Sequence, residues 1–339
     1  MPCPCTLSDQ WGCAINARMP YLVAIGLMVL LTAACRRQQA TQQAVVRDAA
    51  TPTPISTPLP PVPTPVPVGE SEDNPLRMVI KPYESALARN GLARFQSALQ
   101  DASGLVIEVV LVERQAEALA ALCNSSSGPV SVAWLDGVGY MAAIEQNCGL
   151  PALQVERGRG RDATTGQAGQ LVARADLGIA SVSQLSGDHF CRLGFADFYS
   201  WLVPLLLFRA NGVDPLTDLR AITDYEERSE LLEAVAEGDC DATGIPEGAL
   251  GDDVRDEIDV VETTVAFPYA VLMYPIEVPL GIRLRLTDAL VSMSQDSDDA
   301  EMMQPLLGQD GLARVNVDDF IEFRNFMDST GLDFAQLGG

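Results

Sequence analysis

The chain has 339 residues, with 22 Lys+Arg against 46 Asp+Glu, which gives a formal charge of −24 at pH 7. This charge excludes a protein that acts by binding nucleic acid, because phosphate binding needs clustered positive side chains and the only lysine is Lys81. Hydrophobic residues make up 47% of the chain, which is too much for general disorder. The length predicts about two domains.

An apolar run near the N-terminus, residues 21–34, predicts a secretory signal peptide over residues 1–34. Its 14 residues would cover about 21 Å as a helix, less than the roughly 30 Å of a bilayer core. The ending Leu31-Thr-Ala-Ala-Cys35 resembles the bacterial lipobox, so we expect Cys35 to be lipidated and to become the mature N-terminus. An ordinary signal peptide and a short anchor helix are the alternatives. No second run of this kind follows, which excludes a multispanning membrane protein.

Residues 35–75 predict an extended tether. Proline occupies nearly every second position from Thr51 to Pro67, which forbids helix and strand pairing and favours polyproline II. At about 3.1 Å per residue, a segment of about 40 residues would reach on the order of 100 Å. The tether would therefore lift a folded body off a membrane. Recognition of its prolines by a binding partner is the alternative.

From about Asn74 onward, short apolar strands alternate with helical segments. The first half predicts strands at 77–81, 105–112 and 130–135 and helices at 85–99, 116–122 and 138–146. The second half predicts strands at 169–173, 192–195, 241–245 and from 270, and helices at 200–210, 226–236, 284–294, 300–307 and 317–327. This alternation predicts an α/β fold with mainly parallel sheets flanked by helices.

The two halves repeat one arrangement of a helix, a glycine turn, a buried strand and a polar loop after the strand. The first copy contains Cys123 and ends at Asp136, and the second contains Cys240 and ends at Glu247. Ligands of open α/β sheets bind at the carboxyl ends of the strands. Two such lobes with facing loops form a cleft, so we expect a small-molecule site between them.

Five segments, taken in order, carry a family resemblance. They are Val132-Ala-Trp-Leu-Asp-Gly-Val-Gly-Tyr140, Leu177-Gly-Ile-Ala-Ser-Val-Ser-Gln-Leu-Ser-Gly187, Phe195 with Trp201-Leu-Val-Pro204, Asn211-Gly-Val-Asp-Pro215 and Ala234-Val-Ala-Glu-Gly-Asp-Cys-Asp-Ala242. The chain resembles the substrate-binding proteins of ABC importers, in the phosphate, phosphite and phosphonate (PhnD-like) branch. The resemblance implies a two-lobed periplasmic-binding-protein type 2 fold, the Venus flytrap, with two crossover segments. It would place lobe one at 76–166 and 269–339, and lobe two at 167–268.

Candidate ligand contacts are aromatic and polar side chains that follow strands or begin helices in this fold. They are Tyr83, Glu84, Tyr140, Tyr199, Ser200, Trp201 and Glu247. By the resemblance, Tyr140 aligns with a ligand-contacting aromatic of the family. For each residue taken singly, packing or capping is the alternative role.

The turn before Trp201 departs from the family pattern. Family members carry a Ser/Thr-rich turn there, which would hold an anion against a helix N-terminus. This chain has Gly194-Phe-Ala-Asp-Phe-Tyr-Ser200, in which Ser200 is the one such hydroxyl and Asp197 adds a negative charge. We therefore expect a larger organic ligand with one anionic group met by an arginine, and no high-affinity binding of inorganic phosphate. The cluster Arg157-Gly-Arg-Gly-Arg161 would compensate if it faces the cleft, and a basic surface loop is the alternative.

Four cysteines would remain in the exported, lipidated chain: Cys123, Cys148, Cys191 and Cys240. An even number in an oxidising compartment predicts disulfides, and three pairings are possible. Pairing Cys123 with Cys148 and Cys191 with Cys240 would keep each link within one lobe and leave the hinge free. Reduced, buried thiols are the alternative.

Sequence motifs of enzymes and cofactor sites are absent. The only histidine, His189, lies in a predicted turn, and there is no Gly-x-Ser-x-Gly elbow. No His/Cys spacing suits zinc, the acidic run 296–301 lacks the spacing of a calcium loop, and there is no phosphate-binding glycine loop. We therefore expect no enzyme activity, no cofactor and no metal.

These observations predict a lipid-anchored extracytoplasmic solute-binding protein, at the cell surface or in the periplasm, that captures a small polar ligand for an ABC importer. The ligand would be phosphonate-like or a larger organic molecule, and the protein partners would be the permease subunits. We expect a monomer that meets the membrane only through its N-terminal lipid. The alternative is a sensor or scavenging lipoprotein of the same fold without a dedicated transporter.

Overall fold

The computed structural model describes residues 67–252 and 254–336. The predicted signal peptide, Cys35 and most of the predicted tether lie outside these residues. The described chain forms two β-sheets, each flanked by helices, and a separate two-stranded ladder. The two-lobed α/β architecture predicted from the sequence is therefore confirmed.

The strands are numbered in chain order. They are β1 (Leu76–Ile80), β2 (Ile107–Leu111), β3 (Ser131–Leu135), β4 (Leu150–Glu156), β5 (Gly166–Gln167), β6 (Gly169–Arg174), β7 (His189–Arg192), β8 (Ala221–Asp224), β9 (Ala242–Pro246), β10 (Ile258–Thr263), β11 (Phe267–Pro268), β12 (Val271–Tyr274) and β13 (Gly311–Arg314). The first sheet has the order β13-β4-β12-β3-β1-β2, and the second has the order β10-β6-β9-β7-β8.

The α-helices are likewise numbered in chain order. They are α1 (Ser85–Ser103), α2 (Gln115–Cys123), α3 (Gly137–Glu145), α4 (Val203–Ala210), α5 (Arg228–Glu237), α6 (Leu280–Gln295), α7 (Ser297–Leu307) and α8 (Ile321–Ser329). Helix α1 shows why these helices form: Ala88, Phe95 and Leu99 lie on one face and are fully buried in the apolar core that packs on the first sheet. The helix ends at Gly104, whose left-handed φ of 62° few other residues adopt easily.

Most strands of each sheet run in one direction, as expected, but both sheets are mixed, because β12 and β13 in the first sheet and β6 in the second run the opposite way. In the first sheet, β1 pairs in parallel with β2 and β3, whereas β12 runs antiparallel to β3 and β4, and β13 runs antiparallel to β4. In the second sheet, β7 pairs in parallel with β8 and β9, whereas β6 runs antiparallel to β9 and β10. The parallel strands still bring their carboxyl ends to one edge of each sheet.

The antiparallel strands β4, β10 and β13 were not predicted, because their sequences carry weak strand signals. β4 contains Pro151, which cannot donate to a ladder and lies where the pairing with β12 shifts register. β10 and β13 are sheet edges with exposed polar residues such as Asp259 and Arg314. The strand expected at 192–195 is instead β7, which ends at Arg192, and Gly194 turns the chain there with φ of 111°.

The chain passes between the sheets through β5 and β11, which pair with each other antiparallel. A Cβ at Gly166 would clash with the carbonyl oxygen of Phe267, so the close approach of the two crossover strands requires glycine. Helix α8 adds a further connection: Phe323 and Met327 pack in one apolar cluster with Val203 and Leu206 of α4. Residues of both lobes therefore share a core beside the crossover.

Two disulfides join Cys123 to Cys148 and Cys191 to Cys240. The first encloses β3 and α3 beside the first sheet, and the second joins β7 to the turn before β9 in the second sheet. Both links agree with the pairing expected within each lobe. Among the described residues, no helix is both long enough and apolar enough to cross a bilayer.

Candidate functional site

A cavity of about 310 Å³ opens beside the crossover strands. It lies at the carboxyl ends of β1 and β3 and is closed on the other side by the residues that precede α4. Its lining is Lys81, Pro82, Tyr83, Gln115, Trp134, Asp136, Arg157, Phe198, Tyr199, Phe267, Pro268, Tyr269, Ala270, Leu306 and Leu307. Both lobes contribute, so this is the cleft predicted from the repeated strand–loop arrangement.

Two cationic side chains face the cavity. Lys81 directly follows β1 and is exposed. Arg157 follows β4, and its Nε donates a hydrogen bond of 2.9 Å to the carbonyl oxygen of Gly308. The Arg157 guanidinium carbon lies 4.8 Å from the ring centre of Tyr83 and 4.1 Å from that of Tyr269. These cation–π contacts and the hydrogen bond hold the guanidinium in place before any ligand binds.

Tyr199 brings a phenol from lobe two to the cavity. Its hydroxyl donates to Oε1 of Gln167 at 3.3 Å. Burial raises the pKa of Tyr199 to about 12, with a smaller rise from Tyr269 and an opposing effect of Arg157. The hydroxyl is therefore protonated at any physiological pH and serves as a hydrogen-bonding group on the cavity wall.

Asp136 supplies a carboxylate on the opposite wall. It caps helix α3, and its Oδ1 accepts a hydrogen bond of 2.8 Å from the backbone N–H of Gly139. Burial raises the pKa of Asp136, while the hydrogen bonds from Gly139 and Val138 and the charge of Lys81 partly oppose that rise. The cavity lining thus contains two cationic side chains and one carboxylate.

The turn before α4 pairs several of its own polar groups internally. The Asp197 carboxylate accepts a hydrogen bond of 2.7 Å from the backbone N–H of Ser200, and the Asp197 carbonyl accepts from Leu202. The Ser200 hydroxyl oxygen accepts from the backbone N–H of Leu193 at 2.9 Å. A side chain of the protein therefore occupies the position at this helix start where an anion would otherwise bind.

Of the seven candidate ligand contacts, the structure places Tyr83 and Tyr199 in the cavity lining. Tyr140 lies outside that lining, is only 3% exposed, and stacks on Phe320 with ring centres 4.4 Å apart. Trp201 is also buried outside it, with the Arg192 guanidinium carbon 4.3 Å from its ring centre. Both aromatics therefore have packing partners within the fold.

The remaining three candidates also lie outside the cavity lining. Ser200 is buried in the turn described above. Glu84 is exposed at the start of α1, and its backbone N–H bonds the carbonyl of Pro305. Glu247 borders a different groove, beside Gln170 and Arg255.

The sequence interpretation missed the polar floor of the cavity, formed by Lys81, Gln115, Trp134 and Asp136. A signal for two of them was present: Lys81 ends a predicted strand and Asp136 directly follows one, and ligand-binding side chains concentrate at such strand ends. Of the cluster at 157–161, Arg157 lines the cavity, whereas Arg161 is exposed and is not part of the lining.

Among the described residues, His189, Cys191 and Cys240 form a group of potential metal ligands. Both sulfurs are joined in a disulfide, which removes the thiolates that would bind an ion. His189 instead lies 2.8 Å from the Thr223 hydroxyl through Nε2. This group therefore has a structural role.

Comparisons with known proteins bear on the whole fold. The family described as ABC transporter, phosphonate, periplasmic substrate-binding protein matches residues 78–320. The solved structures of XAC2383 from Xanthomonas citri, one bound to chloride ion and one to ATP, share 15% sequence identity with this chain at a TM-score of 0.56. Each comparison covers 76% of this chain and 96% of that one. At this identity the likeness shows the fold alone, the two-lobed type 2 periplasmic-binding-protein fold.

Two further structures show weaker likeness. The binding protein component of an ABC phosphonate transporter from Pseudomonas aeruginosa has 14% identity and a TM-score of 0.49, covering 76% of this chain and 86% of that one. PhnD1 from Prochlorococcus marinus, solved with methylphosphonate, has 10% identity and a TM-score of 0.48, covering 76% and 97%. No curated protein matches the sequence. Because the family match spans more than two thirds of the chain, the protein belongs to the phosphonate family of periplasmic substrate-binding proteins of ABC transporters.

Proposed function

We propose that the cleft binds an organic anion with one phosphonate-type acidic group and delivers it to an ABC permease. The observation that carries this proposal is that two cationic side chains, Lys81 and Arg157, line a cavity of about 310 Å³ whose walls include tyrosines. In a chain of formal charge −24, a local excess of positive charge at the cleft favours an anionic ligand. The fixed Arg157 guanidinium loses little freedom when it binds.

Inorganic phosphate fits this site poorly. At the turn before α4 the Asp197 carboxylate already accepts the backbone N–H of Ser200, so one donor that a phosphate would use there is occupied by a negatively charged side chain. A cavity of about 310 Å³ is larger than a single inorganic oxyanion would fill. The rings of Tyr83, Tyr199 and Tyr269 suit the organic part of a larger ligand.

The test is calorimetry on the full chain with inorganic phosphate and a series of alkylphosphonates. We expect binding that strengthens with the organic group, and inorganic phosphate weaker than micromolar. Lys81→Met and Arg157→Met should each weaken the best alkylphosphonate by roughly tenfold to hundredfold, because each removes a charge-assisted hydrogen bond. Arg161→Met, in the same loop but outside the cavity, is the control and should leave binding unchanged. Submicromolar binding of inorganic phosphate would overturn the proposal.

We further propose that Cys35 carries a lipid that anchors the protein outside the cytoplasm. This rests on the sequence Leu31-Thr-Ala-Ala-Cys35 and on the proline-rich segment after it. Cys35→Ala should leave the protein unprocessed or release it from membranes, since the acyl chains supply the membrane affinity. Cys13→Ala, in the segment that would leave with the signal, is the matched control. Radiolabelled palmitate that still enters the Cys35→Ala protein would contradict the assignment.

A further inference from the structure

Two buried polar atoms on the cavity lining have no hydrogen-bond partner in the protein: Nε1 of Trp134 and Oε1 of Gln115. Trp134 lies in β3 and is only 2% exposed. Gln115 is the first residue of α2, whose start has no side-chain cap. Both residues line the lobe-one side of the cavity.

Buried polar groups are almost always hydrogen-bonded, because losing water without gaining a partner costs stability. Three other polar side chains of the lining have partners in the fold: Arg157 bonds Gly308, Asp136 bonds Gly139 and Tyr199 bonds Gln167. The two orphaned atoms differ from these because nothing in the fold explains their position. Water or a ligand in the cavity can supply the partners that these two atoms lack in the fold.

The chemistry of the two atoms describes the missing partner. The indole N–H of Trp134 can only donate, and the amide oxygen of Gln115 can only accept. A ligand that satisfies them must offer Trp134 an acceptor and Gln115 a donor. A hydroxyl or a primary amide does this, whereas an alkyl chain does neither and an ammonium group only donates.

We infer that Trp134 and Gln115 form a neutral polar subsite that takes a hydroxyl or primary amide group of the ligand. The ligand class is then an organic anion whose acidic group meets Lys81 and Arg157 and whose uncharged polar group meets this subsite. The inference rests on the proposed function for the acidic group. It adds that the ligand carries an uncharged polar group, which a simple alkylphosphonate lacks.

The test compares two probes of similar size, hydroxyethylphosphonate and propylphosphonate, by calorimetry on the full chain. We expect the hydroxylated probe to bind about tenfold to hundredfold more tightly, because the alkyl probe leaves both buried atoms unpaired. Trp134→Phe and Gln115→Met keep the shape of the wall and should each reduce this preference to about threefold or less. Trp201→Phe, a buried tryptophan outside the cavity, is the matched control and should keep the full preference.

A second measurement does not depend on how the variants at the site fold. In the full chain labelled with ¹⁵N at its indoles, the Trp134 signal is assigned by exclusion with Trp11→Phe and Trp201→Phe. Hydroxyethylphosphonate should shift this N–H resonance downfield as it gains an acceptor, and propylphosphonate should not. A shift that is equal for both probes would contradict the inference.

The two proposals fail in different ways. If both probes bind equally well, the polar subsite is refuted and the anion-binding cleft stands. If neither probe binds at millimolar concentration, the proposed function is refuted, and the subsite with it. A preference that survives in both Trp134→Phe and Gln115→Met would refute the assignment of these two residues.

Discussion

Asp136 combines a structural and an electrostatic role in one side chain. Its carboxylate caps α3 through Gly139, and the same side chain faces the cavity near Lys81. Burial makes the charged form less favourable and so raises its pKa. The helix cap is therefore sensitive to pH in a way that an exposed cap is not.

This predicts a pH-dependent difference between the wild type and Asp136→Asn. Asparagine caps a helix about as well as aspartate, so the helix start should persist. The folded wild type still holds this proton at pH values above the ordinary carboxyl pKa of 3.8. Its free energy of unfolding should therefore fall relative to that of Asp136→Asn as the pH rises from 3.8 through the raised pKa. Above the raised pKa the difference should level off. Urea unfolding across this pH range measures it, and two parallel pH profiles would contradict the assignment.

At the scale of single residues, the sequence located the cleft better than it located the side chains within it. Tyr83 and Tyr199 were predicted and line the cavity, because each lies at a strand end or helix start. Tyr140 was predicted to contact the ligand and Asp136 was not, although Asp136 is the first residue after β3. Four residues further on, Tyr140 lies on the side of α3 that packs against Phe320. A sequence shows where a loop begins. Which face of the next helix points to the cleft depends on packing partners far along the chain.

At the scale of elements, Gly244 in β9 marks a tight contact between the second sheet and the start of α4. A Cβ there would clash with Pro204 and with the carbonyl oxygen of Tyr199. Gly244→Ala should therefore lower the free energy of unfolding by about 1–3 kcal/mol, since the backbone must shift to accept it. Thermal or urea unfolding measures this. It should also perturb ligand binding, because Tyr199 lines the cavity.

Gly91→Ala is the control for this substitution. Gly91 lies within α1, and a Cβ there would meet no atom within 4 Å. Alanine should then raise the free energy of unfolding by about 0.5–1 kcal/mol, because it is the better helix former. If both variants lose stability equally, the clash at Gly244 is not the cause.

The elements that the sequence predicted are either long or contain a continuous run of buried residues. Helix α1 spans 19 residues and buries Phe95 and Leu99 on one face, so its periodicity is evident. Strand β13 has four residues, Gly-Leu-Ala-Arg, and buries Leu312 alone. Such a strand is stabilised by pairing with β4, which lies more than 150 residues earlier, and not by its own composition.

At the scale of the whole molecule, each disulfide stays within one lobe, which leaves the crossover strands as the covalent connection between lobes. A tryptic digest can test this directly. Residues 115–157 contain no internal Arg or Lys, so the Cys123–Cys148 link should remain inside one peptide that is lighter by two hydrogens. The Cys191–Cys240 link should join peptides 175–192 and 229–255. Four free thiols, or a peptide pair that joins the lobes, would contradict the structure.

The α/β fold followed from the order of strands and helices, and the two lobes from the repeated arrangement and the family resemblance. The contact of α8 with α4 followed from neither. Each helix has its own apolar face, but no local pattern in either shows that Phe323 packs near Leu206. The same holds for the cavity, whose walls come from segments near residues 81, 136, 157, 199 and 269. These contacts between distant segments exist only once both sheets have formed.

The position of the single lysine has a practical consequence. Lys81 is exposed and lies on the ligand cavity, and every other basic side chain except His189 is an arginine. Reagents that acylate amines react with lysine and not with the guanidinium group, so the ε-amine of Lys81 and the chain's own α-amine are their only targets. An amine-reactive fluorophore would thus attach at the binding site without any engineered cysteine. Acylated protein would lose a cleft charge, and a ligand present during the reaction would shield the amine, so labelling yield becomes a measure of cleft occupancy.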